Sequence, residues 1–317
     1  MFALRGLAVS LSVFMMVYCV LSLAVAVVWR RIYSWAALHH PVAHMADLLF
    51  AVRMLPLAFA FVVTAAITVP SFLLLEPRAI DEPVGLAPVT LGVLGAAFGI
   101  YGLVNALIAI SNTACAVTAL TAKADLVQPA SPILVLRISQ AIPPLTAVGV
   151  LRPKILLSRT AESMLSAPEL QTALNHETAH IRGRDNLKKL LRHFAPFPGM
   201  RRLETAWLEA AEISADDAAV SNCLEALDLA SALIKLSRFV PLEPQPRLTA
   251  SLVHSPASIM NARIQRLLSW SNHPRVAPRP INIWFGVASA SAALAVFVLT
   301  YGGLLARVHT ATEWLVR

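Results

Sequence analysis

Two histidines four residues apart, with a glutamate beside the first, are the side chains of this sequence best suited to chemistry. They stand in His176-Glu177-Thr178-Ala179-His180, an H-E-x-x-H pattern. On a helix, side chains at i and i+4 share a face. Two imidazoles so placed can hold one Zn ion, and Glu177 beside them can take a proton from a water that the metal activates. The pattern needs a helix, and its flanks supply one. Ser166-Ala-Pro-Glu169 is a capping box with proline in the first turn, and Gly183 is a natural stop.

An open zinc site takes three protein ligands. Residues 203–220 read as a second helix carrying Glu204, Glu209, Glu212, Asp216 and Asp217. Only Glu212 has another acid at i+4. That acid, Asp216, can reach the free ring nitrogen of a metal-bound histidine and fix its tautomer. Glu212 is therefore the expected third ligand and Asp216 its support, with Glu204, Glu209 and Asp217 as competitors. Asp185 is expected to make only a helix-end contact.

The elements that carry these residues sit in an unusually apolar chain. Its 317 residues are 57% hydrophobic and 14% charged, with a mean hydropathy of +0.66. Soluble domains carry about a quarter charged residues, so a disordered chain is excluded and a purely soluble enzyme is not expected. The apolar residues are clustered. Residues 7–28, 54–75, 86–110 and 281–305 hold no charge, and each run exceeds the roughly 20 residues a helix needs to cross the hydrocarbon core. Arg5 and Ala24-Val25-Ala26 imitate a cleaved signal peptide, but the apolar run is longer than the roughly 7–15 residues of such a segment, so a retained anchor is expected. No charge occurs between Pro83 and Ala122, so the third helix is expected to run past the bilayer.

Charge sets the orientation. Residues 111–280 hold 19 basic and 13 acidic residues, and 29–53 hold Arg30, Arg31 and Arg53 against Asp47. Residues 76–85 reverse the sign, with Arg78 against Glu76, Asp81 and Glu82. The positive-inside rule then puts 29–53 and 111–280 in the cytoplasm, and 76–85 and both termini outside. The net charge of +8 is accounted for by this orientation and by anionic membrane lipids, so direct nucleic acid binding is not expected. The scattered Cys19, Cys115 and Cys223 make no disulfide framework or metal pair.

Between the spans the texture changes. Residues 132–138 and 146–157 read as two or three short strands, and everything from Ser166 reads as helix. A peptide substrate is expected to add along an edge strand of this region. Pro241, Pro244 and Pro246 mark a connection over 241–257, expected to be extended and to act as a gating or cleavable loop. A helix over 258–270 follows. His39, His40 and His44 read as interfacial polar residues beside a span. Arg182, Arg184, Lys188, Lys189, Arg192, Arg201 and Arg202 read equally as a membrane-facing surface or as steering for an acidic substrate.

Together, Arg152-Pro-Lys-Ile-Leu-Leu157, Leu174-Asn-His-Glu-Thr-Ala-His-Ile181, Asp185 and Glu212-Ile-Ser-Ala-Asp-Asp-Ala-Ala-Val220 resemble the BlaR/MecR family of integral-membrane zinc metallopeptidases, members of the gluzincin group. The resemblance covers nearly the whole chain, with three spans before the protease domain and one after. It implies an α+β membrane protein with a mostly helical gluzincin-like domain and a small β-sheet between spans three and four. It also implies a cytosolic zinc endopeptidase that cleaves itself or a helix-turn-helix transcriptional repressor. The antibiotic-sensing members carry a penicillin-binding domain after the last span. Here 306–317 follow that span, and no Ser-x-x-Lys motif is found there. Phe194-Ala-Pro-Phe-Pro-Gly199 is a variant of the family's Phe-Asn-Pro. His254-Ser-Pro256 and Arg263-Ile264 resemble an element of the HtpX-type quality-control proteases, which makes His254 and Arg263 possible transition-state stabilisers. A membrane quality-control protease and a catalytically silent scaffold with structural zinc are the alternatives. In the scaffold, His193 is the candidate fourth ligand.

The organisation read from the sequence is thus three spans within 1–110, a cytosolic metallopeptidase domain over 111–280, and a fourth span with a short tail over 281–317, in the cell's inner membrane. Reporter fusions at Asp81 and at Arg317 are expected to report an extracytoplasmic position. A cytoplasmic signal from either would overturn this topology.

Overall fold

The computed structural model describes residues 2–39, 42–76, 85–122, 124–128, 133–139, 144–238, 249–251, 257–270 and 300–313. These are mostly helical, with one small sheet. Three helical stretches are long and apolar enough to cross a membrane: Phe2–Leu38, His44–Leu75 and Leu86–Thr121. All three outrun the uncharged cores read from sequence, because a helix continues past the hydrocarbon wherever its polar ends meet water or headgroups. The third does pass the expected limit, reaching Thr121. The fourth predicted span lies almost wholly outside the described residues, and only its end falls in the helical residues 300–313.

The chain divides into two units, one of 1–29, 52–101 and 277–317, the other of 30–51 and 102–276. In the first, helices α1 (Phe2–His39), α2 (Val42–Val63), α3 (Val69–Leu75) and α4 (Leu86–Thr121) pack through small residues. Ser12 Oγ donates to Pro88 O at 2.6 Å. A Cβ on Gly95 would stand 2.8 Å from Leu11 O, so this close helix crossing requires glycine. Large apolar side chains such as Leu23, Leu74 and Ile100 face outward, as lipid-facing residues do.

Pro56 is absorbed within α2. Before Pro70 the backbone widens into a π-turn over Thr64–Thr68. A proline offers no N–H to the carbonyl four residues back, here that of Ala66. The Tyr301 hydroxyl donates to Ala66 O instead, at 2.7 Å. Ser71 Oγ donates to Leu305 O at 3.0 Å, so two hydrogen bonds tie helical residues 300–313 to this stretch.

The second unit is built on a five-stranded sheet. Its strands are β1 (Asp125–Gln128), β2 (Leu134–Ile138), β3 (Leu145–Val148), β4 (Lys154–Ser158) and β5 (Thr249–Ser251). Their order is β1-β2-β4-β3-β5, with β2 and β4 parallel and the other pairs antiparallel. The region expected to give two or three strands gives three. Residues 146–157 split into β3 and β4 at Gly149, whose φ of +91° suits a residue without Cβ. β1 and β5 lie outside that region.

Strands β3 and β4 are buried almost throughout, because both faces of the sheet are covered. Val135, Leu145, Ile155 and Leu157 pack on one face against Ala173, Leu229, Leu233, Met260 and Leu267. Leu136, Ile138, Val148 and Leu156 pack on the other with Val117 and Leu120 at the end of α4.

Helices α5 (Arg159–Met164), α6 (Ala167–Arg182), α7 (Asp185–Phe194), α8 (Arg201–Ala219), α9 (Cys223–Ser237) and α10 (Ala257–Leu268) complete the unit. The capping box of α6 forms as expected, and Gly183 is its C-cap. Its Glu169 accepts from Ser166 N at 2.8 Å and from Lys235 Nζ at 2.7 Å. Burial alone would raise the Glu169 carboxyl, but hydrogen bonds from Lys235, Ser231 and Ser166 outweigh it and hold the pKa at about 2.

Glu169→Ala is expected to lower stability by about 1–2 kcal/mol, from the lost cap and the lost bonds to Lys235 and Ser231. The folded-state pKa lies below the ordinary 4.5, so the native contribution is complete above that value and fades as pH falls toward about 2. Thermal unfolding in detergent across this range should show the gap between variant and wild type closing with acid.

Candidate metal centre

Helix α6 carries His176, Glu177 and His180 on its buried side, and all three side chains are essentially inaccessible. Helix α8 packs against α6 and brings Glu212. The imidazoles present their Nε2 atoms to each other at 3.0 Å. The Glu212 carboxylate closes the group, 3.7 Å from His176 Nε2 and 3.6 Å from His180 Nε2. Two donors each about 2.0 Å from one tetrahedral ion stand about 3.3 Å apart. The expected ligands are therefore gathered at a spacing that suits a single metal ion.

The far sides of the rings explain their orientation. Asp216 Oδ1 lies 2.9 Å from His176 Nδ1, as the i+4 spacing on α8 predicted. Asp185 Oδ2 lies 2.6 Å from His180 Nδ1. A carboxylate only accepts, so a proton on each Nδ1 is the tautomer that these acids favour, and it is the one that leaves Nε2 able to ligate a metal ion. Burial alone would lower the His176 pKa, but Asp216 and Glu212 outweigh it and raise it, so the site favours positive charge. The donor set of two imidazoles and one carboxylate fits zinc.

Asp185 is the residue that sequence reasoning missed. It reaches His180 because Arg184, between α6 and α7, adopts φ +54°. This left-handed turn folds the start of α7 back on the end of α6, at a cost of about 1–2 kcal/mol for a side chain with Cβ. Nothing in the residue types announced it, since Asn or Gly would be the ordinary choice. Lys188 joins Asp185, 3.7 Å away, to Asp47 on α2, 2.6 Å away. A cavity of about 400 Å³ opens here, lined by Asp47, Asn175, Thr178, Arg182, Lys188 and Ser214.

Arg263 of α10 is fully buried. It donates to both oxygens of Asp216 at 2.7 Å and stands 2.8 Å from Glu212 Oε2. Its guanidinium holds both carboxylates ionised against the burial that would protonate them, and the Glu212 pKa lies far below the usual carboxylate range. Arg263, expected as a possible transition-state stabiliser, is thus placed as a clamp on the acids of α8. His254, named with it, lies outside the described residues.

Glu177 stands near His180 and Glu212 and also meets the sheet. Its Oε2 accepts from the backbone N–H of Ala147 on β3 at 2.7 Å. Its Oε1 is buried and has no hydrogen-bond partner among the described residues. Burial pushes its pKa up to about 8. Asn186 Nδ2 donates to Ala147 O and Gly149 O, at 3.2 and 3.1 Å, and so fixes the strand that holds Glu177.

His193 is not part of the ligand group, and Glu204 faces Arg192 and Asp217 faces Arg266 rather than the histidines. Arg182, Arg184, Arg201 and Arg202 are exposed, whereas Lys188 is engaged with Asp47. His44 is exposed; His40 and the side chain of His39 lie outside the description. No protein-family model matches this sequence, and no curated protein matches it.

Asp185→Ala is expected to weaken the binding of a divalent metal ion, with Zn2+ as the probe, about 10–100-fold, the usual cost of losing a carboxylate behind a ligating histidine. Competition with a chromogenic chelator measures it. An unchanged affinity in a variant with unchanged helix content would remove Asp185 from the metal's support.

Proposed function

We propose that this chain is a membrane-embedded zinc-dependent endopeptidase. His176, His180 and Glu212 hold the ion, Asp216 and Asp185 orient the imidazoles, and Glu177 is the general base. When bound, zinc supplies Lewis acidity for carbonyl polarisation and water activation. The observation that carries the reading is the Glu177 carboxylate. It lies beside the ligand pair, is anchored through Oε2 to a strand, and keeps a buried Oε1 with no partner among the described residues. Such an oxygen can receive a proton from the attacking water and return it to the leaving amine without losing its anchor.

The sheet supports a peptide substrate. Of the strands in the region expected to take a substrate strand, β3 is the one whose Ala147 holds Glu177. In the structure one edge of β3 carries β5, antiparallel, with Ala147 opposite Ala250. β5 belongs to the proline-marked connection 241–257, so this part of the chain lies where an extended substrate would add. The pairing supports the reading of that connection as a gate or a self-cleaved loop. The resemblance to BlaR/MecR supports a cytosolic repressor as the substrate in trans, with the peptidase unit in the cytoplasm and both termini outside the inner membrane.

Glu177→Gln tests the mechanism, because an amide cannot accept the proton. The variant is expected to bind zinc as tightly as wild type and to lose at least about 100-fold in peptide hydrolysis. Mass spectrometry of membranes holding each form should find fragments starting between Glu243 and His254 only with the wild type. Equal hydrolysis by the two forms would remove the peptidase reading, and cleavage of other proteins without those fragments would reduce the 241–257 connection to a gate.

A further inference from the structure

We propose that Glu76, His309 and Glu313 form a second divalent-cation site, in the unit that carries the apolar helices. His309 and Glu313 lie one turn apart in helical residues 300–313, the spacing that places His176 and His180 on one face. Glu76 is the C-cap residue of α3. Glu76 Oε2 stands 3.7 Å from His309 Nδ1, and Glu313 Oε1 stands 3.4 Å from His309 Nε2. Neither is a good hydrogen-bond length. The two carboxylates face opposite nitrogens of the ring, so a single ion would be held through one of those nitrogens, with both carboxylates reaching it. One donor atom from each residue falls within 4.8 Å of the others.

Three further observations point the same way. The Glu76 side chain is only 7% exposed, and a buried carboxylate needs compensating charge. It also sits at the C-terminal end of a helix, where the backbone dipole is negative and favours a cation over an anion. Arg5 Nη2, 3.0 Å from Glu76 Oε1, supplies one positive charge. Arg5 answers one of the two carboxylates and leaves the other to a bound cation. Finally, the two halves of the site are already docked, since Tyr301 and Ser71 fix residues 300–313 against the π-turn and α3. One imidazole and two carboxylates suit a first-row divalent cation such as Zn2+. On the orientation the charges assign, the site faces the extracytoplasmic side and would sample metal there, separately from the ligands on α6 and α8.

The full chain in detergent, stripped of metal and titrated with Zn2+, tests this. Wild type is expected to bind two ions per chain. His309→Ala and Glu313→Gln should each bind one tightly, the second weakened at least about 10-fold, and a His176→Ala variant should lose the other. Glu313 is 43% exposed, so its replacement leaves packing intact and guards against a folding artefact. One ion in wild type, or two in Glu313→Gln at unchanged affinity, would overturn the site. Because His176→Ala and Glu313→Gln remove different ions, failure here leaves the peptidase reading untouched, and the reverse also holds.

Discussion

Two imidazole Nε2 atoms held 3.0 Å apart are the constraint around which the second unit is organised. Neither ring can turn away. His176 is held from behind by Asp216 and His180 by Asp185, and each of those acids comes from a different helix. With Glu212 beside them, the two rings form a buried group whose donor atoms lie close enough to hold one metal ion.

Keeping acids ionised inside a protein requires a cation that cannot be titrated away, and Arg263 meets that need. A lysine in its place could shed its proton, since burial disfavours an ammonium. The guanidinium stays charged and its fork spans both oxygens of Asp216. Removing it would strand two buried carboxylates, a loss of about 3–5 kcal/mol by analogy with broken buried ion pairs. The same arginine ties α10 to α8, so the last helix before the 271–299 stretch is part of the metal centre's electrostatics. The strained Arg184 turn plays the matching part for α7. Its cost is offset by the short Asp185–His180 bond that it makes possible.

Much of this was legible in residue order, and the limit has a physical form. Interactions within one helix leave a periodic trace. His176 with His180, Glu212 with Asp216, and the Ser166–Glu169 capping box all appeared at their correct spacing. Contacts made between elements leave none. Asp185 depends on a left-handed residue that is not glycine, and Arg263 meets Asp216 across 47 positions of chain. Ala147 holds Glu177 with a backbone N–H, a group that every residue but proline offers. β5 was invisible for a related reason. Three residues are too few to show an alternating pattern, and what makes them a strand is the free edge of β3.

The hydrogen bond from Tyr301 to Ala66 has a consequence for the order of assembly. Its partners are 235 residues apart. At about 5–20 residues per second of synthesis, the second span waits roughly 10–50 s for its donor. During that interval Ala66 O lacks the hydroxyl that the folded chain gives it, so the contact between the π-turn and residues 300–313 is a late step of assembly.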